Sequence, residues 1–144
     1  MVENQKDPLL KEGHPLKELE LQNLKPDIVR QNRLAYLAGL FDGEGSFGLW
    51  SVGKNRKTPQ FTLQVEMRDI DLIGRFQEFF GCGTIAYRPP RQEHHSATHV
   101  WRCKGKQGLR CAQQMLIFWG EKRTVKMQNI LMEVQKKYPH LLED

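Results

Sequence analysis

Residues 37–45 read LAGLFDGEG, a stretch that combines a helical face with a high density of glycine. Apolar residues recur at intervals of three and four, which predicts a helix over residues 31–42. Ala35, Gly39 and Gly43 lie four apart and form a strip of small residues along that helix. A glycine inside a helix costs about 1 kcal/mol relative to alanine. We therefore predict close packing against another helix, or alternatively a large side chain of the same subunit above Gly39.

Glu44 follows this strip directly, between two glycines, where the predicted helix gives way to a strand. If two copies of the helix pack about a two-fold axis, two Glu44 carboxylates come close together. One or two carboxylates with substrate phosphate oxygens and water form the usual environment of Mg²⁺. Such a site activates water and stabilises the attacking and leaving oxygens, so the motif predicts phosphodiester hydrolysis. The alternative is a solvent-exposed acid beside a turn.

The rest of the chain alternates strand hairpins with helices. Regular alternation of apolar and polar residues predicts a strand over residues 60–68, which forms a hairpin with residues 46–52. Asp69 is predicted as the N-cap of the next helix, and Gly81 as its end. The remaining predicted elements are a second hairpin of residues 84–88 and 98–104 and helices over residues 107–118 and 123–137. This order predicts an α+β fold with one antiparallel sheet.

The composition excludes several classes of protein. The chain has 144 residues and a net charge of +5, with no apolar run long enough to span a membrane and no secretory signal. We expect one folded domain in an intracellular compartment, the cytoplasm or an organelle. The three cysteines lack a C-x-x-C pair, so their spacing supports neither a disulfide framework nor a structural zinc site. Residues 88–110 carry six basic residues against one acid, which favours a nucleic-acid partner.

The segment at residues 37–45 resembles the signature of the LAGLIDADG homing endonuclease family, of the type with a single motif per chain. Phe41, Gly43 and Glu44 replace the Ile, Ala and Asp of the family name, and they keep the packing and carboxylate roles. The resemblance implies an αββαββα fold with a saddle-shaped antiparallel sheet. We therefore divide the chain into an N-terminal extension, residues 1–30, and an endonuclease domain, residues 31–144.

The same resemblance implies a homodimer whose motif helices pack through Ala35, Gly39 and Gly43 and whose sheets lie on double-stranded DNA. Glu44, the acid at the eighth motif position, then binds a catalytic divalent metal with help from the Gly43 carbonyl. The expected cofactor is Mg²⁺, for which Mn²⁺ or Ca²⁺ can substitute in crystals. The implied products are double-strand cuts with 3′ overhangs at a long, partly palindromic target, as in intron or intein homing.

Further catalytic candidates come from the resemblance as well. Family members often carry a basic residue near the scissile phosphate, just before the last helix. Lys122 is the candidate for that catalytic role, with Arg123 as the alternative. Polar residues after the second strand order water in some relatives, which makes Arg68 and Asp69 candidates too.

The outward row of the sheet is expected to read DNA, because a strand in the major groove presents every second side chain to base edges. The residues predicted to contact bases or phosphates from the sheet are Gln60, Thr62, Gln64, Glu66, Arg68, Arg88, Arg102 and Lys104. Lys54, Arg56 and Lys57, in the first hairpin loop, are predicted phosphate contacts. The alternative is that this row is the solvent-exposed face of an amphipathic sheet.

Two other interpretations of the sequence concern different functions. The main rival is a non-cleaving relative, either a regulator that binds DNA or a maturase that helps its intron RNA to splice. Glu44 favours cleavage, because a pure binder could tolerate its loss. A zinc site at His94, His95 and His99 is disfavoured, because no cysteine or carboxylate completes a usual ligand spacing there. We interpret these histidines as loop residues near DNA.

Overall fold

The structure is a computed structural model and describes residues 25–50 and 58–143. Contacts separate the chain into two units, Met1–Arg33 and Leu34–Asp144. The described elements are α1 (Pro26–Glu44), β1 (Gly45–Trp50), β2 (Gln60–Met67), α2 (Ile70–Phe80), β3 (Thr84–Arg88), β4 (Thr98–Lys104), α3 (Gly105–Met115) and α4 (Glu121–Lys137). Short 3-10 helices follow α3 at Leu116–Phe118 and α4 at Pro139–Leu142. None of the helices in the described ranges has the length and apolarity that crossing a bilayer requires.

The described strands form one antiparallel sheet in the order β1-β2-β4-β3. The register aligns Phe47, Leu63 and Cys103 across β1, β2 and β4, and all three are buried in the core with residues of the helices. We call this the inner face of the sheet. Side chains that alternate with them, such as Gln64, belong to the opposite, outer face. The predicted α+β fold with one antiparallel sheet is confirmed.

Aromatic rings fill the core at the junction of α1 and β1. Phe41 on α1 and Phe47 on β1 both stack on Trp119, with ring centroids 5.2 and 5.3 Å apart. Gly45 lies between them, and a Cβ added there would come within 2.5 Å of the Phe41 ring. Only glycine fits at this position. Gly45, the last glycine of the motif, therefore allows α1 to continue directly into β1 in close contact with the Phe41 ring.

The helix α2 begins and ends as the sequence predicts. Asp69 Oδ1 accepts hydrogen bonds from the backbone N–H groups of Asp71 and Leu72, which satisfies donors of the first turn. Gly81 ends the helix with a φ of 68°, a left-handed conformation that favours glycine. The second predicted hairpin is also confirmed, because β3 and β4 span the predicted residues.

The motif helix is longer than predicted at its start. It begins at Pro26 instead of residue 31. Proline is favoured at the first helical position and Asp27 interacts favourably with the helix dipole in the first turn, so both are start signals. The proposed boundary between extension and domain therefore falls inside α1. The turn predicted around residues 53–55 lies outside the described residues.

Candidate active site and nucleic-acid interface

The two carboxylates at the end of α1 have different environments. Asp42 accepts a hydrogen bond from the Gly120 backbone N–H to Oδ2 at 2.9 Å and one from Arg123 Nε to Oδ1 at 3.0 Å. Glu44 is exposed, and no hydrogen bond or ion pair joins it to any residue that the structure describes. Asp42 therefore anchors the start of α4 to the motif, whereas Glu44 is the carboxylate that is accessible to a ligand.

Arg123 fixes the backbone on both sides of Glu44. Its Nη1 donates to the carbonyl of Gly45 and its Nη2 to the carbonyl of Asp42, each at 3.0 Å. The guanidinium carbon also lies 5.4 Å from the centroid of the Phe41 ring. With its donors used in this way, Arg123 is a structural residue. The geometry therefore favours Lys122 over Arg123 for the predicted catalytic role.

Two lysines of α4, Lys122 and Lys126, also differ in whether other residues bind their side chains. Lys122 is exposed, and within residues 25–50 and 58–143 no hydrogen bond or ion pair engages it. Lys126 Nζ donates to the carbonyl of Phe47 at 2.8 Å and lies 4.8 Å from the centroid of its ring. Lys126 is not among the residues predicted from the sequence, although its position three residues after Arg123 places both on one helical face. Lys122 remains the predicted catalytic residue.

The strip of small residues on α1 is uncovered. A Cβ added at Gly39 or Gly43 would meet no atom within 4 Å. Both glycines are exposed, and Ala35 is half-buried. Among the described residues no large side chain lies over Gly39, so this part of the chain does not support that alternative explanation of the glycine. As far as residues 25–50 and 58–143 extend, the strip is accessible to a partner helix.

Polar side chains on the outer face are linked across the strands. Arg102 Nε donates to Gln64 Oε1 at 3.0 Å. Arg88 Nη1 pairs with Glu66 Oε1 at 3.1 Å, and the Thr98 hydroxyl donates to Glu66 Oε2. All five residues are half-buried. Four of the side chains predicted to contact DNA, together with Thr98, thus form an ordered polar surface over β2, β4 and β3.

Other predicted DNA contacts lie at the margins of this surface. Lys104 and Arg68 are exposed, and Gln60 is half-buried. Asp69, a candidate for ordering water, uses Oδ1 to cap α2. The predicted phosphate contacts of the first hairpin loop lie outside the described residues and are Lys54, Arg56 and Lys57.

Thr62 is less accessible than predicted. It is 9% exposed, although the register places it on the outer face. Its partner on β1 is Gly48, and a Cβ added at Gly48 would come within 2.9 Å of the Trp50 ring. The ring therefore lies over this part of the sheet, and Trp50 itself is 49% exposed. The alternation of residues within β2 could not predict the burial of Thr62, because the Trp50 ring that covers it belongs to β1.

The three predicted loop histidines have different positions. His94 and His95 are exposed and precede β4. His99 lies within β4, and its ring meets that of its strand partner Tyr87 at 5.5 Å. The placement of His99 in a loop is wrong, because β4 begins at Thr98 and its alternation turns His99 to the inner face.

Comparison with known proteins identifies the family. The sequence profile of the LAGLIDADG endonuclease family matches residues 37–109, slightly more than half of the chain. The chain belongs to this family. The matched range includes Glu44 and every strand that the structure describes.

Solved structures of LAGLIDADG proteins share the fold. The homing endonuclease I-CvuI, in complex with its target in the presence of Ca, gives a TM-score of 0.60 at 17% identity over 80% of this chain and 76% of that chain. The intron-encoded homing endonuclease I-CeuI complexed with DNA gives 0.57 at 18% identity, over 76% and 57% of the two chains. The meganuclease I-AabMI bound to uncleaved DNA gives 0.54 at 21% identity, over 75% and 38%. These likenesses show that the helices and the antiparallel sheet have the LAGLIDADG arrangement.

The cysteines form a cluster that their spacing in the sequence does not indicate. Cys82 Sγ lies 3.4 Å from Cys103 Sγ and 3.6 Å from Cys111 Sγ, and all three sulfurs lie within 4.8 Å of one another. None of them forms a disulfide. The cluster arises because the loop after α2, the end of β4 and the middle of α3 converge on the core side of the sheet.

Replacement of Arg123 by methionine should destabilise the fold. Arg123→Met removes three hydrogen bonds and leaves the Asp42 carboxylate without its cation, so we expect a loss of about 2–3 kcal/mol in the free energy of unfolding. Lys122→Met is the matched control, because this exposed side chain should change stability by no more than about 0.5 kcal/mol. Urea unfolding of both variants measures the difference. Equal stabilities would contradict the structural role of Arg123.

Proposed function

We propose that this chain is a sequence-specific DNA endonuclease that acts as a homodimer. The observation that carries this function is the end of α1, where Glu44 is exposed and unpaired among the described residues while Asp42 is engaged with Arg123. Membership of the LAGLIDADG endonuclease family supports phosphodiester hydrolysis as the reaction. Both I-CvuI and I-CeuI were solved with DNA, which supports double-stranded DNA as the substrate.

The donors at the end of α1 fit a hard divalent cation. Glu44 offers a carboxylate and Gly43 a backbone carbonyl, and both residues are exposed. Oxygen donors of this kind, completed by phosphate oxygens and water, are those that Mg²⁺ prefers. Structures of I-CvuI with DNA were obtained with Ca and with Mg, which supports the use of a divalent ion. When bound, the cation would acidify a water molecule and stabilise developing charge on the phosphate oxygens.

The protein's own residues have distinct parts in this proposal. Arg123 holds the carbonyls of Asp42 and Gly45, so the backbone between them presents Glu44 in a fixed position. Pre-organised groups lose little freedom when the substrate binds, which favours catalysis. Lys122, exposed at the start of α4, is proposed to offset negative charge at the scissile phosphate.

The homodimer is proposed from the open strip on α1. A two-fold axis through the strip of Ala35, Gly39 and Gly43 would bring the two motif helices together and place the two Glu44 side chains near the axis. Each carboxylate would then serve one DNA strand. A symmetric dimer prefers half-sites related by two-fold symmetry, so we propose a long, partly palindromic target. From the family resemblance, we also propose that the cleaved ends carry 3′ overhangs.

The outer face is proposed as the surface that reads the target. Arg102 donates to Gln64 and is held by that bond, and both present polar atoms from neighbouring strands. Arginine pairs with guanine and glutamine with adenine in the major groove. The linked pairs of the outer face therefore favour direct reading of base edges over phosphate contact alone.

A library cleavage assay tests the proposed function. Purified protein is incubated with Mg²⁺ and a plasmid library that carries randomised sites and the DNA that flanks the native gene. We expect double-strand cuts at one recurrent sequence, which EDTA prevents, and sequencing of the ends should show 3′ overhangs. Specific binding to a selected site without any cleavage would favour the non-cleaving relative, a regulator or a maturase, over the endonuclease.

Removal of the Arg102 side chain should weaken and broaden target recognition. Arg102→Ala is expected to cost about 1–3 kcal/mol of binding free energy and to relax base preference at one position in each half-site. Arg110→Ala is the matched control, because Arg110 is exposed on α3, on the opposite side of the sheet. Binding of a selected target and its single-base variants measures both effects. An unchanged base preference in Arg102→Ala would contradict direct reading by this arginine.

A further inference from the structure

The cysteine cluster joins three elements of the fold at one point. Cys82 comes from the loop after α2, Cys103 from β4 and Cys111 from α3. Cys103 and Cys111 are buried, whereas Cys82 is half-buried and lies at the surface side of the cluster. The cluster adjoins the β4–β3 side of the sheet, whereas Glu44 precedes β1 at the other edge. It is therefore separate from the proposed active site.

The loop that carries Cys82 is held in place by its neighbours. Trp101 Nε1 donates to the carbonyl of Cys82 at 3.0 Å, and Gln77 Nε2 donates to the carbonyl of Gly83 at 2.9 Å. Gly83 has a φ of 91°, and a Cβ there would come within 2.4 Å of Trp101 Nε1. The loop conformation that points Cys82 inward is thus fixed by a glycine and two side-chain hydrogen bonds.

The third sulfur reaches the cluster because α3 lies very close to β4. A Cβ added at Gly108 would come within 2.6 Å of the Cys103 carbonyl oxygen, so only glycine permits this approach. Cys111 follows Gly108 by three residues and so shares its helical face. The close contact at Gly108 therefore brings Cys111 to Cys103.

We propose that Cys82, Cys103 and Cys111 bind one thiophilic metal ion of the Zn²⁺ or Cu⁺ class. Sulfurs at about 2.3 Å from a shared ion lie roughly 3.8 Å apart. In the cluster the two separations from Cys82 Sγ are 3.4 and 3.6 Å, and all three sulfurs lie within 4.8 Å of one another. Soft thiolate ligands select these ions over Mg²⁺ and Ca²⁺. Among the described residues no further histidine, cysteine or carboxylate joins the set, so this part of the chain offers three ligands.

The three thiols differ in the direction of their pKa shifts. Hydrogen bonding from Cys111 and then from Cys82 lowers the pKa of Cys103 to about 7. The hydrogen bond with Cys103 and burial raise the pKa of Cys111, and burial raises that of Cys82. On binding, each sulfur that is still protonated releases its proton to solvent as its bond to the metal forms.

The test uses the full chain, reduced with a phosphine, stripped with a chelator and titrated with Zn²⁺, with Cu⁺, and with Cd²⁺ as a spectroscopic probe. We expect one ion per chain, a thiolate-to-cadmium charge-transfer band, and a rise in melting temperature of about 5 °C or more at saturation. Whichever of Zn²⁺ and Cu⁺ binds more tightly identifies the ion. Cys82→Ser should weaken binding at least about tenfold, and Cys111→Ala should do the same.

Controls separate the cluster from other metal-binding side chains. The double variant His94→Gln, His95→Gln should bind the ion as tightly as the wild type does. No charge-transfer band and no thermal shift in the reduced wild type would overturn the metal site, as would equal binding by the wild type and both cysteine variants. Conversion of Cys82 and Cys103 to a disulfide that mass spectrometry detects, without metal uptake after reduction, would also overturn it. None of these readouts depends on DNA cleavage.

Discussion

Glu44→Gln is expected to abolish DNA cleavage while DNA binding survives. The substitution keeps the shape of the side chain and removes the negative charge that would hold a divalent cation at the end of α1. Loss of a residue that only supports a metal ligand typically costs 10–100-fold in activity, so loss of a ligand itself should cost at least about 10²-fold. Cleavage of a selected target with Mg²⁺ and a gel-shift assay without metal measure the two properties.

Asp42→Asn is the matched control for this substitution, because the same motif carries both carboxylates. Asp42 accepts hydrogen bonds from Gly120 and Arg123, so its amide variant should lose stability. At a temperature at which Asp42→Asn is folded, its cleavage should exceed that of Glu44→Gln. Full cleavage by Glu44→Gln would show that the catalytic carboxylate lies elsewhere.

Gly39→Leu is expected to prevent dimerisation without unfolding the protomer. In the part of the chain that the structure describes, a Cβ at this position meets no atom within 4 Å. A leucine would instead collide with the partner helix if two copies pack through this strip. Sedimentation of the free protein and of its DNA complex should show a shift from dimer to monomer. Double-strand cleavage should fall with it, because a monomer carries a single Glu44.

Gly39→Ala tests the strip of small residues on α1 through the direction in which the free energy of unfolding changes. In an isolated protomer alanine should stabilise the helix by about 0.5–1 kcal/mol, because glycine is a poor helix former. In a tightly packed dimer the added methyl should instead destabilise the assembly. Gly74→Ala on α2 is the control, because Gly74 also has no atom within 4 Å of an added Cβ. Stabilisation by both variants, with unchanged dimerisation, would contradict packing at Gly39.

Local signals were sufficient to predict most of the fold. The α2 caps at Asp69 and Gly81, and the alternation of β2, act within a few residues, so the sequence alone indicates them. The position of Glu44 at the end of the motif helix is local in the same sense. The predicted start of α1 at residue 31 was wrong because the prediction rested on the recurrence of apolar residues and did not use Pro26 as a start signal.

Features that depend on long-range contacts could not be predicted from spacing. Asp42 and Arg123 lie far apart in the chain, and only the tertiary structure shows that Asp42 is a structural acid and Glu44 an accessible one. The burial of Thr62 depends on Trp50 of the neighbouring strand. The cysteine cluster depends on the convergence of three elements. The spacing of the cysteines in the sequence does not indicate that convergence.

The most direct test of the proposed active site is the cleavage pattern of a mixed dimer. Wild-type and Glu44→Gln chains with two different tags are co-expressed, and species that carry both tags are isolated. Two Glu44 side chains at one dimer axis predict that the mixed dimer binds a selected target but fails to cut both strands, so that nicked plasmid accumulates instead of linear plasmid. Linear product at the wild-type rate, or failure to recover any species with both tags on DNA, would contradict the paired active site.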